Sequence, residues 1–173
     1  MDCAASAMEG KEMPRHRVTV SKVIKAPPQR VYELLADYRK GHPSILPRPQ
    51  FRSLTVVEGG HGRGTVFDME MRVLGRKRSL RGVVSEPEPG RRLVESYVGE
   101  PTVTSFMVEP MFSGEHAQVT ITTDTDVHRG LRGALERGLT TRLLQPLYRR
   151  ELEKLAAVAT ADLREREEGS RAR

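Results

Sequence analysis

The sequence predicts an α+β fold: a curved antiparallel sheet of six to seven strands wrapped around one long C-terminal helix, with one or two short helices after the first strand. Three observations predict it. An alternating, β-branched segment precedes a proline-started helix, a run of short strands punctuated by glycine and proline follows, and the C-terminal segment carries leucines at helical spacing. Aromatic residues make up only 5% of the chain. A sheet curved around a helix with so few large rings leaves space on its concave face, so a cavity is expected there.

The first strand runs from Arg17 to Lys25, where Val18, Val20, Lys22 and Ile24 alternate with Thr19, Ser21, Val23 and Lys25. Pro27 and Pro28 stop it. Proline at the first helical position lacks only a donor that would be unpaired there, so a helix is predicted from about Pro28 to Tyr38. Val31, Leu34, Leu35 and Tyr38 form its inward stripe, with Gln29, Arg30, Glu33 and Asp37 outward. Pro43, Pro47 and Pro49 then permit at most a short helical turn around Ile45 and Leu46, placed to cover one end of the cavity.

Strands follow at Phe51–Glu58, 65–74, 78–86, 92–98, 103–109 and 117–127. Short connections containing glycine or proline between them imply an antiparallel meander. The clearest alternation sets Phe67, Met69, Met71 and Val73 against Asp68, Glu70 and Arg72. Gly59, Gly60, Gly62 and Gly64 match no G-x-G-x-x-G frame and open a strand, not a helix, so they read as a mobile hairpin loop and not as a phosphate cradle. From about Arg129 to Glu168 the chain reads as helix, with one row at Leu131, Leu135, Leu139, Leu143 and Leu147 and a second at Tyr148, Leu152, Leu155, Ala159 and Leu163. Pro146 marks a kink or restart where the rows change over.

With 173 residues and 37% hydrophobic content the chain suits one domain, expected over residues 16–168 between a flexible leader (1–15) and a fraying tail (169–173). Met8 and Met13 are alternative starts to Met1. No segment approaches a membrane span or a secretion signal, and the one cysteine, Cys3, cannot form an internal disulfide, so a cytoplasmic protein without integral membrane association is expected. A net charge of +6 invites a nucleic-acid reading, but the 23 arginines and 6 lysines are interleaved with acids and no recognition motif is present. Nucleic acid is therefore not the expected partner, and the sequence leaves the oligomeric state open.

The segments Ala26-Pro-Pro-Gln-Arg-Val-Tyr-Glu-Leu-Leu-Ala-Asp-Tyr38, Gly62-Arg-Gly-Thr-Val66 and Ser85-Glu-Pro-Glu-Pro-Gly-Arg-Arg-Leu-Val94 resemble the START-like or SRPBCC superfamily, including its polyketide cyclase/dehydrase branch. The resemblance covers Val18 to Leu163. It implies the helix-grip fold and a long cavity between C-terminal helix and sheet that holds a hydrophobic ligand. It does not imply one reaction, since members include carriers, cyclases and ribosome-associated proteins.

Placed on this chain, the cavity wall is expected at Phe67, Met69, Met71, Phe106, Val108, Val119 and Ile121, closed by Ala134, Gly138, Leu139 and Leu143. Tyr97 is the candidate polar contact, with Glu95 on the same strand face, although a boundary tyrosine with its hydroxyl in water fits equally. His16, His42, His61, His116 and His128 are scattered, so no catalytic pair, metal ligand set or cofactor is implied. Asp124 and Asp126 share a strand face and read either as a functional carboxylate pair or, more often, as solvated surface; His128 with Asp126 is the nearest acid–base couple, read first as a polar strand exit. The expected function is binding or carriage of a lipid, isoprenoid or polyketide-like molecule. A cyclase/dehydratase is the alternative, and a macromolecular partner role through basic surfaces is the second.

Overall fold

A computed structural model describes residues 13–171, with side chains described to Ala161. Most of the predicted leader, with Cys3, Met1 and Met8, and the last two residues of the predicted tail lie outside the described residues, as does the side chain of Leu163. The elements are β1 (Arg15–Ile24), α1 (Pro28–Ala36), α2 (Gly41–Ile45), β2 (Phe51–Glu58), β3 (Val66–Val73), β4 (Arg76–Glu88), β5 (Arg92–Tyr97), β6 (Thr102–Met111), β7 (His116–Asp126) and α3 (Gly130–Arg171). The seven strands form one antiparallel sheet in the order β1-β7-β6-β5-β4-β3-β2. Strands β2 to β7 are the predicted meander, and β1 closes against β7 with Val18 opposite Thr123 and Ile24 opposite Ala117. The first two strands thus form opposite edges, and α1 and α2 make the crossing between them.

β4 starts earlier and ends later than its alternation suggested. It contains Pro87, tolerated because the register shifts between Ser85 and Glu88 and releases the ladder there. The hairpin of β3 and β4 outruns its neighbour: β4 first meets β5 at Gly82 opposite Tyr97, while β3 and β4 stay paired to Val73 opposite Arg76. About six residues, or roughly 20 Å, therefore project beyond the end of β5.

α1 buries Val31, Leu34 and Leu35 with Tyr38 just beyond its end, and Tyr32 and Ala36 besides. The Gly59–Gly64 loop, expected to be mobile, is docked on this helix end: Gly62 N–H donates to the Ala36 carbonyl and Tyr38 N–H to that of Gly60. Gly59, Gly60, Gly62 and Gly64 all have positive φ, which their lack of a β-carbon permits.

α3 corrects the leucine row. Leu131, Leu135 and Leu139 are 91%, 73% and 41% exposed, whereas Leu147, Tyr148, Leu152, Leu155 and Ala159 are buried. At 100° per residue, a strict spacing of four precesses by ~40° per step, so Leu131 and Leu147 face directions about 160° apart. The face that grips the sheet alternates spacings of three and four, through Leu144, Leu147, Tyr148, Glu151, Leu152 and Leu155. Pro146 lies inside the helix and leaves the Arg142 carbonyl without its helical donor, at the boundary between the exposed and the buried stretch. The Lys154 ammonium donates to the Leu46 carbonyl at 2.9 Å, tying α3 to the end of α2.

Candidate functional site

Inward alternation on β3, β5, β6 and β7 and the gripping face of α3 enclose a cavity of about 190 Å³. Its apolar wall includes Phe51, Leu54, Phe67, Met69, Met71, Leu80 and Phe106 from the sheet and Leu144 and Leu147 from α3. α2 covers one end with His42, and Leu46 follows it, as the proline-rich segment predicted. The other end opens into a wider cleft of about 780 Å³ that shares Met71, Val73, Thr102, Thr123, Leu144 and Leu147 with the inner chamber.

Of the expected wall, Phe67, Met69, Met71, Tyr97 and Phe106 line the inner chamber. Val108, Val119 and Ile121 point to the same face of the sheet but are fully packed in the core. They lie toward the end where β1 runs into α1, and helix packing fills the space there. The expected closure by α3 is corrected. Leu139 faces outward, as do Ala134 and Gly138, and Leu143 lines the outer cleft only. The residues that close the chamber are Leu144, Leu147, Tyr148 and Glu151, one turn and more farther along.

The chamber carries a buried polar cluster at its covered end. Tyr38 Oη donates to Glu95 Oε1 at 2.6 Å and Tyr97 Oη to Glu95 Oε2 at 2.7 Å, so each carboxylate oxygen accepts one phenol. His42 Nδ1 lies 2.9 Å from the Leu35 carbonyl, which can only accept, so Nδ1 carries the hydrogen and Nε2 faces Glu95 Oε1 at 3.7 Å. Tyr38 stacks on His42 at 4.6 Å between ring centroids and on Phe67 at 5.1 Å, fixing both rings. The expectation that His42 is one of several scattered histidines is therefore corrected: the Tyr38 to His42 turn brings it against a carboxylate distant in sequence. The other histidines do stay apart. His61 meets Glu33, His16 meets Thr141, His116 meets Phe112 and His128 meets Glu136, not Asp126. Asp124 and Asp126 pair with Arg17 and Arg15 at the surface.

Glu151, which the sequence reading did not single out, enters the chamber from α3. It is 2% exposed and its Oε1 has no hydrogen-bond partner. Burial, with the nearby charge of Glu95 adding to it, pushes this carboxyl up to about 8, so it holds its proton at neutral pH. Tyr148 beside it shares a 2.5 Å hydrogen bond with Thr123, which continues to Thr104 at 2.9 Å. Burial raises the phenols of Tyr38 and Tyr97 well above their ordinary range, and the Glu95 charge raises both further. The cluster thus sets a phenol-held carboxylate and a neutral carboxylic acid among the residues that line the chamber. One sequence signal pointed at Glu151: a charged residue on the buried stripe of a helix, between Tyr148 and Leu155.

The chain is similar in structure to KanY protein (23% identity, covering 86% of this chain and 99% of that one, TM-score 0.73). It is also similar to the Zhui aromatase/cyclase from Streptomyces sp. R1128 (17%, 87% and 96%, 0.69) and to a START superfamily protein from Mycobacterium smegmatis (11%, 84% and 98%, 0.64). At these identities the likeness shows the fold. No curated protein matches the sequence. The model of one family, described as polyketide cyclase / dehydrase and lipid transport, matches residues 15–160, all of the sheet and most of α3. With the helix-grip sheet, the gripped C-terminal helix and the cavity between them, that match places the chain as a member of the polyketide cyclase/dehydrase and lipid transport family.

Proposed function

We propose that this protein binds a small hydrophobic molecule in the chamber between sheet and α3, with an apolar body against Phe67, Met69, Met71 and Phe106 and a polar end at Glu95 and Glu151. The observation that carries this reading is a mostly apolar chamber that the side chains around it leave open, with the buried Glu151 carboxyl in its lining. A cavity of ~150 Å³ suffices for benzene, so the inner chamber suits one or two rings or a short branched chain, and the outer cleft takes any remainder. Burying apolar ligand surface contributes ~25 cal/mol per Å². Two methionines on the wall adapt to irregular shapes. Native mass spectrometry of the protein from its own cells, followed by organic extraction, tests the reading. A stoichiometric apolar molecule is expected. An empty chamber that also fails to take up a hydrophobic fluorescent probe would refute it.

A second reading, acid–base catalysis of the cyclase/dehydratase type, is favoured by the same pair of carboxyls. Glu95, accepting from two phenols, and the raised carboxyl of Glu151 set an acceptor and a donor against one chamber, a usual arrangement for moving a proton on and off one substrate. Glu95 would accept it and Glu151 donate it. Glu95→Gln and Glu151→Gln should then abolish turnover of the extracted molecule and leave its binding within a few-fold, whereas a pure carrier shows no turnover to lose.

A further inference from the structure

The outer cleft opens at the end of the sheet where β3 meets β4, where β5 meets β6, and where β1 and α3 begin. This end carries apolar side chains that the core does not use. Leu74 at the tip of the projecting hairpin is 65% exposed and Val98 in the next turn 64%. On α3, Leu131 and Leu135 are 91% and 73% exposed, with Leu139 one step farther along. Thr141 already meets His16 at the start of β1, so these leucines precede the part of α3 that lies on the sheet. The same end is cationic. Arg72, Arg76 and Lys77 stand on the hairpin and Arg137 and Arg142 on α3, and none of them has an ion-pair partner among the described residues. Leu74, Arg72 and Arg142 line the cleft itself.

We propose that this end of the molecule docks on an anionic lipid surface, placing the mouth of the cleft against the bilayer. Two features select this occupant. An acidic protein or RNA would complement the arginines but gives the open leucines nothing to enter. A second copy of the chain would cover the leucines but bring two cationic ends together. A surface of phosphate groups over hydrocarbon satisfies both sets at once. No helix among the described residues is long and apolar enough to cross a membrane, so the contact is peripheral. The inference does not depend on which molecule occupies the chamber.

The test is sedimentation of the full chain with vesicles of phosphatidylcholine alone or mixed with phosphatidylglycerol, at low and raised salt. Binding is expected to the mixed vesicles only and to weaken with salt. Arg76→Gln and Lys77→Gln should each weaken it about five-fold, the effect of ~1 kcal/mol per cation at a charged bilayer. The combined change Leu131→Ser, Leu135→Ser should weaken it at least ten-fold at unchanged charge. All four side chains are exposed, so the variants are expected to keep the wild-type melting temperature and probe uptake in solution. No binding to mixed vesicles, or binding indifferent to the leucines, overturns the proposal. So does a concentration-dependent dimer that the leucine change dissolves, since the same face would then belong to a second copy. Failure of probe uptake with vesicle binding intact would instead count against the proposed chamber function.

Discussion

Replacing Glu151 by glutamine should flatten the dependence of stability on pH between about pH 5 and pH 8. The side chain is fully enclosed and its carboxyl is raised from 4.5 to about 8. Because the folded-state value lies above the unfolded one, the folded protein keeps a proton that the unfolded chain has already lost. The group's contribution is therefore fully present below about pH 4.5 and is lost as pH rises toward 8. With those two values, linkage gives a loss of roughly 3–4 kcal/mol between about pH 5 and pH 8. Glutamine has nearly the same shape and no proton to lose. The variant should match the wild type within ~1 kcal/mol at about pH 5 and exceed it by ~3 kcal/mol at about pH 8. Urea unfolding of both proteins across that range measures the difference directly, since titrating groups that do not interact with Glu151 cancel between them. A difference that stays flat with pH would refute the claim that Glu151 is protonated in the folded protein, and with it the donor role at the chamber.

Other substitutions separate the parts of the fold. Gly82→Ala places a β-carbon 2.3 Å from the tip of the fully buried Phe67 ring and should cost ~1–3 kcal/mol in chemical denaturation, with reduced probe uptake as the ring is pushed into the chamber. Tyr38→Phe removes one of the two phenols that hold Glu95 and should destabilise by ~1–3 kcal/mol, measured by the same denaturation. Leu155→Ala on the gripping face should cost ~2–5 kcal/mol, while Leu135→Ala, on the same helix, should stay within ~0.5 kcal/mol in thermal or urea unfolding.

The order and type of the elements were legible because local signals were strong and agreed: β3 alternates cleanly, Pro28 starts α1, and each hairpin carries its own turn residues. The aromatic and methionine wall on β3 was legible for the same reason, since a period of two fixes which side chains share a face. Glu95 and Tyr97 were found together by that rule. What escaped was set by geometry across elements. The leucine row of α3 looks regular in sequence, yet its spacing of four spirals around the helix and only its end reaches the core. In the sequence Glu151 is one acid among many on a charged helix, and it is the packing of Tyr148, Leu152 and Leu155 that places it inside. The pairing of His42 with Glu95 joins residues from α2 and β5, and no local pattern records it.

Pro146 separates two lengths of α3 that are held very differently. Beyond it, the helix is clamped by the sheet, by α1 and by Lys154 on the end of α2. Before it, the helix forms one side of the cleft and is tied to β1 through the bond between Thr141 and His16. Segments with few buried contacts open at a small fraction of the global unfolding free energy. Entry and exit of a guest should therefore keep time with the early turns of α3 and not with the lifetime of the native state. Amide hydrogen exchange resolves the two clocks, with residues 131–142 exchanging orders of magnitude faster than 147–159. Substitutions that strengthen the clamped half should raise the melting temperature and leave the guest's residence time where it was.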